Sequence, residues 1–136
     1  MEGCIFCKIV EGKIPSAKVY EDEKVFCFLD IMPANKGHCL VIPKSHSKDL
    51  SEMKDEDAAA AIKAARKVAS ALSMSLGCVG FNFVMSNGRE AGQIVFHSHI
   101  HIVPRFKNDG LKIKWPHTKY KDGEMKEYAE KIKKFL

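Results

Sequence analysis

No stretch of the chain approaches the ~20 consecutive apolar residues that a membrane-spanning helix needs. The opening Met1-Glu2-Gly3-Cys4 has no apolar core of a secretion signal. Membrane insertion is therefore not expected, and a cytoplasmic location is. No repeat, low-complexity tract or linker breaks the 136 residues, so a single domain over 1–136 is expected. Cysteines are few and odd in number: Cys4, Cys7, Cys27, Cys39 and Cys78. An odd set without a secretion signal argues against a disulfide framework. Charge is only mildly one-sided, at a formal +5. The lysines of the C-terminal third can be read as a phosphate-attracting surface or as a solvated face. They are dispersed and not interleaved with aromatics, which favours the solvated face. No nucleic-acid partner is expected.

What is present is an ordinary globular mixture, 46% apolar and 29% charged. Ile5–Val10 reads as a short helix closed by Gly12. Ala17–Tyr20 and Val25–Leu29 flank the turn residues Glu21–Lys24 and read as a β-hairpin. Cys39–Ile42 is a short strand stopped by Pro43, after a loop over Pro33–Gly37. The strongest helix runs from about Glu56 to Leu76, with Asp55 as N-cap and Gly77 as stop. Ile62, Ala65, Ala69, Leu72 and Leu76 form its expected buried stripe. Phe81–Met85 is a strand, and Ile94–Val103 is the longest strand candidate, ended by Pro104. A last helix over about Gly123–Leu136 has Asp122 as cap and Met125, Tyr128, Ile132 and Phe135 as its apolar face. The class is α+β: an antiparallel sheet with a long helix packed on it.

The segment Phe96-His97-Ser98-His99-Ile100-His101 carries the chemistry. On a strand, residues i, i+2 and i+4 share a face, so three imidazoles would line one side at roughly 7 Å spacing. Three readings stand. The rings are satisfied core histidines; or they are three ligands of one metal, which collinear residues serve poorly; or they divide the labour. In the last reading a neutral imidazole attacks phosphorus and a neighbour handles charge or protons.

This segment resembles the signature of the histidine-triad (HIT) family. Ala91-Gly92-Gln93 before it and Pro104-Arg105 after it also match. So do Phe28-Leu29-Asp30-Ile31 with Pro33, Gly37-His38-x-Leu40-Val41-Ile42-Pro43-Lys44-x-His46, and Ile5-Phe6-Cys7-Lys8-Ile9-Val10-x-Gly12-x-Ile14-Pro15. The resemblance runs in order from about Cys4 to Trp115 and implies the HIT fold, with about five antiparallel strands, one long helix and a C-terminal helix. It implies that His99 is the nucleophile, forming a nucleotidyl-histidine, and that His101 assists beside the phosphate. Asp30 matches the residue that binds the ribose hydroxyls. Ile5, Phe6, Ile9, Phe28 and Ile31 match a purine sandwich, for which core packing is the alternative. Ser86 and Gln93 match nucleotide-binding positions. Two departures stand out: Ile94 replaces a hydroxyl residue, and Ser86 an amide. His38 matches a position near the active site, with a backbone-bonded loop histidine as the alternative.

Cys4-x-x-Cys7 admits a redox motif, two buried thiols or half a zinc site. Only three residues precede Cys4, where a redox motif should follow a strand. In relatives with this motif, positions matching His46 and His97 complete a structural Cys₂His₂ zinc site. The implied protein is a nucleotide hydrolase of the phosphoramidase kind, acting on purine nucleotides and forming a homodimer through sheet edges with the long helix across it. The alternatives are a dinucleoside polyphosphate hydrolase, a purine-nucleotide-binding protein with weak catalysis, and a zinc hydrolase using the triad as ligands.

Overall fold

Val25–Leu29 and Cys39–Pro43 are almost wholly apolar, and strands apolar on both faces must be covered on both. A computed structural model, which describes residues 1–136, shows how. Its elements are α1 (Ile5–Val10), β1 (Lys18–Glu21), β2 (Val25–Leu29), β3 (Cys39–Pro43), α2 (Asp55–Leu76), β4 (Gly80–Val84), β5 (Ile100–Arg105) and α3 (Glu124–Lys133). The five strands form one sheet in the order β1-β2-β3-β5-β4, and every neighbouring pair is antiparallel. The two-residue period of each strand sorts the core into two layers. Val25, Cys27, Cys39, Val41 and Ile102 face α2. Phe26, Phe28, Leu40 and Ile42 face the other way and pack against Phe6 and Ile9 of α1. The β1–β2 turn is fixed by Asp22, whose carboxylate accepts from the backbone N–H of Lys24 and Val25 at 2.8 Å each.

α2 meets the sheet through Ala61, Ala64, Ala65, Val68, Ala69 and Leu72. Short alanine side chains let the helix approach closely, so larger residues there would overpack the layer. This corrects the expected stripe: Ile62 is 48% exposed and Leu76 47% exposed. The helix also starts one residue early. Lys54 is the N-cap without a side-chain bond, and Asp55 is the first of three acidic residues in the opening turn, where they complement the helix dipole. Gly77 closes α2 at φ +65, as expected. Gly37 holds φ +96, and a Cβ there would lie 2.6 Å from the Leu76 side chain. The loop before β3 thus passes against the end of α2 at a point that only glycine suits.

The longest expected strand is shorter at one end and longer at the other. β5 begins at Ile100, not Ile94, and runs through Pro104 to Arg105. Ahead of it the backbone N–H of Ser98 donates to the carbonyl of Ser47 at 2.8 Å, a loop contact that replaces a ladder bond. Pro104 is tolerated because β3 pairs with β5 only from Cys39↔Ile102 to Val41↔Ile100. The Pro104 carbonyl accepts from Asn35 Nδ2 at 2.9 Å, so its missing N–H falls on the side without a partner strand. α3 has Gly123, not Asp122, at its N-cap, and it buries no residue. Its expected apolar face, Met125, Tyr128, Ile132 and Phe135, is exposed. No helix is long and apolar enough to cross a membrane.

Candidate functional site

The three histidines do not project from one face of a strand. Only His101 lies on β5; His97 and His99 precede it, and the early bend sends His97 to one site and the other two to another.

α1 turns Cys4 and Cys7 to one side and Phe6 and Ile9 to the other, as (i, i+3) spacing on a helix requires. Cys4 Sγ caps the helix by accepting from the Cys7 N–H at 3.4 Å. Cys4, Cys7, His46 and His97 then converge, with their ligand atoms all within 4.8 Å of one another. Cys4 Sγ lies 3.4 Å and Cys7 Sγ 3.6 Å from His97 Nδ1; Cys7 Sγ lies 3.4 Å and His97 Nδ1 3.2 Å from His46 Nδ1. A tetrahedral ion with bonds of about 2.0–2.3 Å sets its ligands about 3.3–3.8 Å apart. His97 Nε2 is 2.7 Å from the Pro43 carbonyl, so it carries the proton and Nδ1 offers a lone pair to the cluster. Burial pushes the His97 pKa down to about 4, which keeps that lone pair free at neutral pH. These four residues lie close enough to hold a metal ion.

His99 and His101 sit ring against ring, centroids 5.0 Å apart, and line a cavity of about 340 Å³, within the size range of small-ligand sites. His99 Nδ1–H donates to the His97 carbonyl at 2.7 Å, so in the neutral ring the lone pair is on Nε2. For His101 the protons are set by a chain. The Ala34 N–H donates to His38 Nδ1 at 3.0 Å. His38 Nε2 therefore carries a proton and donates to His101 Nδ1 at 2.9 Å. His101 then carries its proton on Nε2. No buried side-chain nitrogen or oxygen lacks a partner, so the two unbonded Nε2 atoms have access to solvent, on rings that both line the cavity; in neutral rings one offers a lone pair and the other a donor. Burial and the neighbouring His99 and His38 push the His101 pKa down to about 4. Burial also lowers that of His38, against the pull of Asp30. Asp30 Oδ2 lies 3.7 Å from His38 Nε2, while Oδ1 accepts from the Met32 N–H at 2.8 Å.

The cavity brings Ile5, Phe6, Ile9, Phe28, Ile31 and Asp30 together with His99 and His101. Phe6 stands edge-on to Phe28 at 5.6 Å and to His99 at 5.2 Å. Ser86 and Gln93 do not line it. The Gln93 side chain accepts from the Gly88 N–H at 2.8 Å and donates to the carbonyls of Lys48 and Val95. It is bonded to backbone on all sides and holds the loop in front of the histidines. The sequence reading missed Ile14, Pro15, Met32, Leu40 and Val95, which also line the cavity. Leu40 was within reach, because it stands opposite Phe28 in the β2–β3 register and opposite His101 in the β3–β5 register. His38 belongs to the site through His101. A larger hollow of about 840 Å³ along α2 is lined by residues such as Tyr20, Lys24, Glu56 and Phe83 and includes no histidine or cysteine.

The family model of the HIT domain matches residues 11–108. An uncharacterized HIT-like protein of Methanocaldococcus jannaschii is 50% identical over 119 residues, covering 88% of this chain and 92% of its own. The adenosine 5′-monophosphoramidase of Schizosaccharomyces pombe is 42% identical over 130 residues, 95% of each chain. Among solved structures, a HIT family protein from Bacillus subtilis superposes with a TM-score of 0.92 at 45% identity, covering 98% of this chain and 97% of that one. A Zn-bound histidine triad family protein from Mycobacterium smegmatis superposes at 0.79 with 34% identity, covering 99% of each. By sequence and by fold, the chain belongs to the HIT family.

Proposed function

We propose that the chain hydrolyses purine nucleoside 5′-phosphoramidates through a nucleotidyl intermediate on His99. The observation that carries this is the pair of opposite Nε2 atoms in one cavity, a lone pair on His99 and a donor on His101. The purine lies between Phe6, Ile9, Phe28 and Ile31, with the ribose on Asp30. His99 Nε2 attacks the α-phosphorus and the P–N bond breaks. The nitrogen leaves as an amine, with its proton supplied by the His101–His38 pair. Water then opens the phosphohistidine and returns a proton to that pair. Positioning and a fixed donor supply most of the rate. Activity of the S. pombe relative on adenosine 5′-monophosphoramidate, as its name states, supports the reading. So does the lack of any lysine or arginine in the cavity lining, which disfavours a polyphosphate chain as substrate.

Zinc suits the Cys4, Cys7, His46 and His97 set, and four protein ligands would complete its shell, giving it a structural role with no place for a reacting water. Bound there, it ties α1, and so the Phe6 wall, to His97. A homodimer is proposed through β4, an edge strand that leaves Phe81 and Phe83 exposed. The decisive assay follows AMP release from adenosine 5′-phosphoramidate by the protein and by His99→Gly. Release by the first alone is expected; equal release by both would remove His99 as nucleophile.

A further inference from the structure

Ser47 and Ser98 form a buried hydroxyl pair that the proposed hydrolysis leaves unused. Ser98 is 1% exposed and Ser47 8% exposed, and a buried hydroxyl is costly unless it is bonded. The Ser47 hydroxyl donates to Ser98 Oγ at 2.9 Å, and the Ser98 hydroxyl donates to the Ser47 carbonyl at 3.2 Å. The same carbonyl accepts from the Ser98 N–H at 2.8 Å. The reason for this clasp lies in the sheet. The β3–β5 register runs Cys39↔Ile102, Leu40↔His101, Val41↔Ile100, and two further steps would set Ser98 opposite Pro43, which has no N–H to give. The Pro43 carbonyl is taken by His97 Nε2. The ladder therefore stops, and the serine pair holds the chain between His97 and His99 instead. Each serine follows a histidine of the Cys/His cluster, so the clasp joins the two segments that also meet at that cluster.

We infer that Ser98 is a positioning residue for His99, which with Ser47 fixes the peptide group that holds the His99 ring. The inference rests on the proposed hydrolysis at His99. The Ser98 N–H and the His97 carbonyl belong to one peptide group. That group is planar and, with no cis peptide in the chain, its N–H and C=O point opposite ways. Anchoring the N–H on Ser47 therefore aims the carbonyl away from Ser47, and this carbonyl takes the His99 Nδ1–H at 2.7 Å. The two hydroxyls pin the Ser47 carbonyl and the Ser98 side chain to each other. The peptide group then turns only by breaking three bonds together. Donation of its N–H to Ser47 also polarises its carbonyl and strengthens it as an acceptor. A ring held through Nδ1 keeps its lone pair on Nε2. A peptide group free to turn lets the ring swing and exchange tautomers, and a misplacement of about 1 Å is enough to slow a reaction. Ser98 acts only through His99 and takes no part in the bond changes.

The test sets Ser98→Thr against Ser98→Val, two side chains of one shape of which only the first has a hydroxyl. A cavity of about 20 Å³ borders Ser98, between Val41, Met53 and Ala61, so the added methyl groups meet space. With adenosine 5′-phosphoramidate, Ser98→Thr keeps kcat within about threefold of the unsubstituted protein, whereas Ser98→Val lowers it about tenfold with KM within about twofold. Metal content, read by elemental analysis, is equal in both. Ser98→Val leaves the Ser47 hydroxyl without its partner, so the double variant Ser47→Ala/Ser98→Val separates position from stability. Removing both partners restores the thermal melt, while kcat stays low. A second readout needs no substrate. Nitrogen-15 spectra of histidine-labelled protein at pH about 8.5, well above the ordinary imidazole value, show His99 as one Nδ1–H tautomer in the unsubstituted protein and in Ser98→Thr, and as a mixture in Ser98→Val. Equal kcat in the two variants, a kcat loss that tracks lost metal, recovery of kcat in the double variant, or an unchanged tautomer in Ser98→Val would overturn the assignment. The two readings fail separately. No AMP from the unsubstituted protein removes the proposed hydrolysis itself, and the tautomer then decides alone on Ser98.

Discussion

His97 and His99 are two residues apart and meet opposite fates. His97 has both ring nitrogens committed, one to the Pro43 carbonyl and one to the cluster with Cys4, Cys7 and His46. His99 commits one nitrogen, to the carbonyl of His97 itself, and leaves the other free. Identical side chains thus stand as one closed and one half-open imidazole, and the difference lies in how many hydrogen-bond partners the fold supplies. The two sites are also joined. The His97 carbonyl holds the His99 ring through Nδ1, and Phe6, on the helix that Cys4 caps and that carries Cys7, stands against both rings, with centroids 5.9 Å from His97 and 5.2 Å from His99.

Substitutions that separate the two sites should show effects of very different size and kind. The largest is expected for His99→Gly, which removes the proposed nucleophile: turnover of adenosine 5′-phosphoramidate falls by about 10⁴-fold or more, while metal content, read by elemental analysis, stays at that of the unsubstituted protein. Cys7→Ala should do the reverse. Metal is lost, and stability to guanidinium falls by several kcal/mol if the ion closes the site as proposed, roughly the scale of losing a structural ligand; activity drops through a raised KM as the Phe6 wall loosens. A variant that kept its metal would break the comparison. His38→Ala releases the proton arrangement of His101 without touching His99, and a loss of about 10²-fold in kcat is expected. Its pH profile should broaden, because nothing then holds the His101 proton on Nε2.

The smallest effect is on stability against pH. The His101 pKa is lowered in the folded state from an ordinary 6.5 to about 4, so between those values the unfolded chain binds more protons. Stability is complete above pH 6.5 and is lost as pH falls toward 4. The slope from this one ring stays below ~1.4 kcal/mol per pH unit, because it binds a single proton. Guanidinium melts from pH 4 to 7 should show this slope added to that of His97, whose pKa is lowered alike, and His101→Phe should reduce it. An equal slope in both proteins would mean that His101 is not held neutral.

The sheet and the long helix were legible because their signals are local. β2 and β3 are bounded apolar runs, and α2 has an acidic first turn and a glycine stop. What escaped depends on contacts distant in sequence. Val95 and Phe96 look like strand residues, but Ser98 bonds to Ser47 instead of a neighbouring strand, and the strand starts after it. The α2 stripe was displaced because Ala61 and Ala64 carry little hydrophobic signal, yet close packing selects them over Ile62. The pattern of α3 is amphipathic, but a pattern does not supply a partner, and its apolar side is exposed. At the site, the residue types were readable and the proton positions were not. The Ala34–His38–His101 chain exists only because β3 lies beside β5, with Leu40 opposite His101.

The central claim is that the unprotonated Nε2 of His99 takes the nucleotide. The most direct measurement is mass spectrometry of protein quenched during turnover of a slow AMP amidate, with the modified residue located by peptide sequencing. The account predicts an AMP adduct on His99, absent from His99→Gly and present in His101→Phe at slower formation. An adduct on another histidine, or steady turnover by His99→Gly, would contradict it.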